Sequence, residues 1–279
     1  MTDREKFLYD LQGFLIVRDF LTEDEVTALN EAVDANADKI KDDGNSHPGG
    51  NLTGEFKRGM FSGMLAWEKP WCLPFRDLLA HPKIVPYLDE MMGRGWKMDH
   101  SPFILSGPAG SEGLRLHGST SRLFDTAQFY TYNNGRMRCG MVVFQYQLED
   151  VNDGDGGLCV IPGSHKANYS CPDEIKWYQS DQEIVHQPVC KKGDLVIFNE
   201  ATIHGTLPWQ GKRERRSLLY RYSPKNLHFA GGTYKTEQPE WVGELTEAQQ
   251  AVVEPPYIYN RPLIEEDGVS VVRPRRDPL

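Results

Sequence analysis

Between residues 96 and 223 the apolar stretches are short and separated by Gly, Pro, Asn and Asp, which limits what the chain can fold into. Phe103-Ile104-Leu105, Cys139 to Phe144, Leu158 to Ile161, Asp194 to Phe198 and Ser217 to Tyr222 are too brief for helices and are bounded by turn residues. Such runs read as strands. Many short strands with helices ahead of them predict a mainly β (α+β) architecture, a jelly-roll barrel with N-terminal helices packed against it.

The preceding segment carries the helix signals. After the β run Gly13 to Val17, Thr22 and Glu25 form a capping box, in which hydroxyl and carboxylate satisfy free N–H groups at a helix start. Val26, Leu29 and Val33 then share one face, predicting an amphipathic helix from 23 to about 38. A second helix is expected after His81-Pro82, with Ile84, Leu88 and Met91 on one face and Gly93 at its end. The turn-rich stretch from Asp42 to Asn51, which contains His47, reads as a loop. At 279 residues with 39% hydrophobic content the chain can bury one large core. A single domain is expected over 1–279, with a helical part to about 95, a barrel core over about 96–224 and an irregular extension from about 225. That extension holds one helical candidate opened by Thr246 and Glu247, and its tail from Arg273 to Leu279 reads as frayed.

A net charge of −9 argues against a nucleic-acid or anionic-membrane partner, since both need clustered positive charge. No run approaches the length needed to span a bilayer, and the charged start has no signal-peptide core. Five cysteines, with no C-x-x-C pair, suggest neither a disulfide framework nor a structural zinc site. A cytoplasmic protein acting on a small molecule is expected. Oligomeric state has no signal in the sequence.

Two histidines stand at strand edges, His117 after Leu114 and Leu116, and His204 after Ile203 and before Gly205. Either could be a hydrogen-bonded core histidine. Together, and with the basic cluster Lys212 to Arg216 following, they read as metal ligands, since neutral imidazole suits Fe(II). Around them, Leu148-Glu149-Asp150-Val151, Gly156 to Lys166, and Gly193 to Phe198 leading to His204-Gly205-Thr206 form an ordered set. This set resembles the phytanoyl-CoA dioxygenase family over residues 10 to about 224.

The resemblance implies a cupin-like barrel of the double-stranded β-helix type and an Fe(II)- and 2-oxoglutarate-dependent dioxygenase that uses dioxygen to hydroxylate an aliphatic carbon. It implies that His117 and His204 hold the metal and that Arg215, eleven residues after His204, clamps the distal carboxylate of 2-oxoglutarate. Arg216 is the rival, because neighbours on a strand face opposite ways. Thr206 and Gln145 fall at further cosubstrate positions, Gln145 in place of an expected aromatic. In the usual facial triad a carboxylate follows the first histidine by two residues, and here that position is Ser119. Four readings follow: iron on two histidines with water; chloride in the open position, as in halogenases that resemble this family; a carboxylate from Asp125; or a cupin-like binding module without chemistry. Glu200 lies four residues before His204, about 13 Å along an extended strand, and is read as a rim or outer group. His165 reads as a structural turn residue, and His81, His100, His186 and His228 as surface or core residues. Trp209, Tyr130 and Tyr132 are candidates for the substrate pocket, although aromatics in a β barrel more often belong to the core.

Overall fold

The computed structural model describes residues 1–43, 50–118, 127–229 and 238–256. The loop around His47, Ser119, Asp125 and the C-terminal tail therefore lie outside the described residues. The strands are β1 (Phe14–Val17), β2 (Lys41–Asp42), β3 (Gly59–Ser62), β4 (Lys97–Met98), β5 (Phe103–Gly107), β6 (Leu114–His117), β7 (Tyr130–Asn133), β8 (Arg136–Cys139), β9 (Val142–Gln147), β10 (Gly157–Val160), β11 (Leu195–Asn199), β12 (His204–Leu207) and β13 (Arg215–Ser223). The helices are α1 (Asp3–Gln12), α2 (Glu23–Asp34), α3 (Leu73–Leu78), α4 (Val85–Met92), α5 (Asp173–Lys176) and α6 (Glu247–Val253).

The large sheet runs β1-β11-β9-β13-β5-β3-β2, with β4 also on β13, and the small sheet runs β10-β12-β6. Pairing is antiparallel throughout both. This is the jelly-roll expected from the strand pattern. Every residue of β9 is buried, which requires cover on both faces of the large sheet. On one face Val142, Phe144, Tyr146, Leu195, Ile197, Leu218, Tyr220 and Tyr222 pack with Val26, Leu29 and Val33 of α2, Phe75 and Leu78 of α3, and Leu88 and Met91 of α4. On the other, Leu105, Val143, Val196, Phe198 and Leu219 meet Leu158 and Val160 of the small sheet. The odd–even split follows from the two-residue period of a strand.

Several expectations are refined. The Thr22–Glu25 capping box starts α2 as expected, but α2 stops at Asp34 and a separate 3-10 turn covers 37–39. Asn36 causes the stop by donating its side-chain amide to the Ala32 carbonyl at 2.8 Å, diverting an acceptor the helix would otherwise use. The second helix is a 3-10 turn at 82–84 running into α4, ended by Gly93 at φ 78°. α1 was not anticipated, although Thr2 and Glu5 form a capping box of the same kind as that of α2. The helical candidate expected in the C-terminal extension is present: α6 starts at the Thr246 cap and buries Ala248, Ala251 and Val252 in the helix-side core.

Candidate functional site

β6 and β12 are neighbours in the small sheet, and His117 pairs directly with His204. Their ring centroids lie 4.3 Å apart. Each ring is fixed from behind: Nδ1 of His204 meets the Thr202 carbonyl at 2.7 Å, and Nδ1 of His117 meets the Arg115 carbonyl at 3.0 Å. A carbonyl can only accept, so both Nδ1 atoms carry a proton, and in the neutral imidazole this leaves the lone pair on Nε2, the tautomer a metal ligand needs. Burial and the adjacent His117 push His204 down to about 4, against the pull of Glu200, so it is neutral at neutral pH.

The distance assigned to Glu200 needs correction. β11 ends at Asn199 and the chain turns before β12, so the path from Glu200 to His204 is not extended. The Glu200 carboxylate is buried, with Oε2 3.6 Å from Nε2 of His204 and Oε1 accepting from Nε of Arg221 at 3.0 Å. Ligand atoms of His117, Glu200 and His204 all lie within 4.8 Å of one another. Burial would raise the Glu200 carboxyl, but His204, Arg221 and His117 outweigh it and hold the group at about 2. Gly118 makes this approach possible: its φ is +102°, and a Cβ there would stand 2.7 Å from the Glu200 carbonyl oxygen and 2.6 Å from that of Thr202.

A cavity of about 390 Å³ opens beside these three residues between the two sheets. Its wall includes Arg215, Thr206 and Gln145, so the three expected cosubstrate residues share one space with both histidines. β13 sends the two arginines to opposite sides of the sheet. Arg215 is buried and lines the cavity, its Nε donating to Ser217 Oγ at 3.2 Å. Arg216 points the other way, to Asn30 at 3.0 Å, Asp34 at 2.6 Å and Glu214 at 2.9 Å. Nη1 of Arg215 and Nε2 of Gln145 are buried and have no hydrogen-bond partner among the described residues. Burial, reinforced by the nearby Arg58, lowers Arg215 to about 9, which still leaves it cationic at neutral pH. Two buried, unpartnered donors beside a hydroxyl fit a carboxylate ligand, and the paired imidazole lone pairs fit a divalent metal.

The remaining candidates separate clearly. Trp209 donates Nε1 to the Arg213 carbonyl and Tyr130 bonds Asp10, both as core residues, and Tyr132 is exposed; none lines this cavity. His165 is structural as read, bonding the Asp10 carbonyl at 3.0 Å and meeting Tyr130 edge-on. His81 pairs with Glu25, and His186 stacks on Phe14. His100 does line the cavity, held by Asp99 at 2.9 Å. Arg221 was also missed, although it shares strand parity with Arg215, Ser217 and Leu219.

Among the described residues no helix is long and apolar enough to cross a membrane. The HygX crystal structure from Streptomyces hygroscopicus with nickel and 2-oxoglutarate bound is similar in fold, at a TM-score of 0.68 and 20% identity over 82% of this chain and 89% of that one. EctD from S. alaskensis gives 0.62 at 19%, covering 91% and 87%, and the carbocyclase SnoK from nogalamycin biosynthesis gives 0.61 at 15%, covering 93% and 94%. These likenesses establish the jelly-roll fold. Peroxisomal phytanoyl-CoA dioxygenase of Rattus norvegicus is 24% identical over 188 residues, 62% of this chain, and the chain spans about half the length of that relative, 53%. The model of the family described as Phytanoyl-CoA dioxygenase (PhyH) matches residues 9–217, and the chain belongs to that family.

Proposed function

We propose that the protein is a non-haem Fe(II)- and 2-oxoglutarate-dependent oxygenase that hydroxylates an aliphatic carbon of a small molecule. The observation that carries this reading is the meeting, in one cavity, of two Nε2 lone pairs with the unpartnered donors of Arg215 and Gln145. When bound, iron with 2-oxoglutarate supplies the oxidation, in which substrate C–H, dioxygen and 2-oxoglutarate become alcohol, succinate and carbon dioxide. The chain's own residues do the holding and placing. His117 and His204 offer the metal two neutral nitrogens in fixed orientations. Arg215 would take the distal carboxylate of 2-oxoglutarate in a charge-assisted pair, and Thr206 and Gln145 would add further donors from the same cavity wall. Leu105, Leu158, Phe198 and Leu219 make the cavity wall apolar, while His100 and Arg221 give the substrate side polar contacts. A cavity of this size suits a small molecule. HygX has been crystallised with hygromycin B bound, which supports a small-molecule substrate here.

The test is an anaerobic titration of Fe(II) with 2-oxoglutarate present, read by the visible charge-transfer absorption of the chelate, followed by succinate release on admitting air. A band that is lost in His204→Ala is expected. A chlorinated product in the presence of chloride would move the reading to halogenation. Neither band nor succinate from folded protein would leave a cupin-like binding barrel.

A further inference from the structure

We propose that Glu200 is the third protein ligand of the metal centre, delivered by the turn between β11 and β12 and replacing the carboxylate that Ser119 does not supply. The inference rests on the iron-site reading of His117 and His204. Strand parity aims the side chain: Val196 and Phe198 of β11 face the barrel interior, and Glu200 continues the same alternation just past the strand end. Packing sets the distance, because Gly118 lets the end of β6 lie directly on the Glu200 and Thr202 carbonyls.

The strongest argument is the chemistry of the gap between Glu200 and His204. With Nδ1 of His204 donating to the Thr202 carbonyl, Nε2 presents a lone pair. The atom facing it is Oε2 of a carboxylate, at 3.6 Å and beyond hydrogen-bond length. The two groups therefore face one another through these atoms with no hydrogen bond between them. Arg221 engages the other oxygen, its Nε donating to Oε1. Its role is to fix the carboxylate's rotation and leave Oε2 aimed at the imidazoles. A purely structural Glu200–Arg221 ion pair would have no need to hold a carboxylate oxygen within 4.8 Å of a ligand nitrogen on each of the two histidines. The resulting ligand set is Glu200 and His204 from a single turn, with His117 across the sheet.

The experiment is a Co(II) titration of the whole protein without cosubstrate, followed by calorimetry and by the visible d–d spectrum, in wild type, Glu200→Gln and His204→Ala. One tightly bound ion in wild type is expected. Glu200→Gln, close to isosteric, should weaken it by at least roughly 10- to 100-fold, the loss typical of groups that merely support ligands, and should change the d–d bands. Undiminished affinity with an unchanged spectrum in Glu200→Gln, while His204→Ala loses the metal, overturns the Glu200 assignment and leaves the histidine site standing. Undiminished binding in His204→Ala overturns the histidine site itself. Should Glu200→Gln fail to fold, a crystal structure of Co(II)-loaded wild type decides: a Glu200 oxygen on the ion supports the assignment, and an ion on both imidazoles without it overturns it.

Discussion

The two faces of the large sheet are made by the same strands and do opposite things. Toward the helices, alternate residues of β9, β11 and β13 are aromatic or aliphatic; the Tyr220 hydroxyl donates to the Phe75 carbonyl at 2.6 Å and that of Tyr222 to the Leu78 carbonyl at 3.3 Å, and the buried Tyr146 hydroxyl is the exception, with no hydrogen-bond partner among the described residues. Toward the barrel, the intervening residues include Gln145, Gln147, Arg215, Ser217 and Arg221, buried or nearly so, with Arg215 and Gln145 each retaining an unpartnered donor. An unpaired buried donor costs free energy, typically about 1–3 kcal/mol, and more when charged. One face therefore stabilises the fold while the other holds polar groups ready for a ligand at some cost to stability.

The largest test of that contrast is Phe144→Ala on the helix face. Phe144 is fully buried at the centre of the sheet and packs edge-on against Tyr222 with centroids 5.4 Å apart. Its truncation leaves a cavity between sheet and helices and should cost about 3–5 kcal/mol in denaturant unfolding. A loss below about 1 kcal/mol would mean that this face is not the main source of stability.

Arg215→Met on the barrel face should do the reverse. It removes a desolvated guanidinium with a partnerless Nη1 and a neighbouring like charge, Arg58, while keeping the volume. Unfolding free energy should stay level or rise, because apolar residues replacing buried charges are often neutral or stabilising by about 1–4 kcal/mol. Cosubstrate binding should fall by roughly 2–5 kcal/mol, since the ligand carboxylate then lacks its charged partner. Calorimetry with 2-oxoglutarate alongside a melt separates the two effects. A variant that melts lower yet binds 2-oxoglutarate unchanged would assign Arg215 to the core.

How much of this is legible in the sequence follows from the same contrast. The strands of the large sheet could be read because their apolar runs are continuous, and the jelly-roll followed. Arg215 could be preferred to Arg216 only through the family spacing, since alternation states that they face apart but not which faces in. Glu200 was misplaced for a different reason: its parity with Phe198 was visible, but the distance to His204 was taken along a straight strand. The turn at 200–203 and the seat that Gly118 gives it depend on β6 lying beside β12, a long-range contact no local pattern reveals. α1 was missed although its capping box was present, because its apolar content is low and the helix buries only Tyr9.

The smallest effect, and the sharpest control, is Arg216→Met. This arginine leaves the barrel for the helix side, where it ties β13 to Asn30 and Asp34 of α2. Its partners are partly in water, the Asp34 side chain 64% exposed and that of Glu214 39%, so solvent screens the pairs. The loss should be between zero and about 1 kcal/mol and should shrink further as salt is added. Cosubstrate affinity should not change, because nothing on this side of the strand reaches the cavity. The two arginines are adjacent in sequence and carry the same charge, and they differ only in which face of β13 they leave. Equal losses of 2-oxoglutarate binding in Arg215→Met and Arg216→Met would therefore show that net positive charge, rather than the direction set by the strand, attracts the cosubstrate.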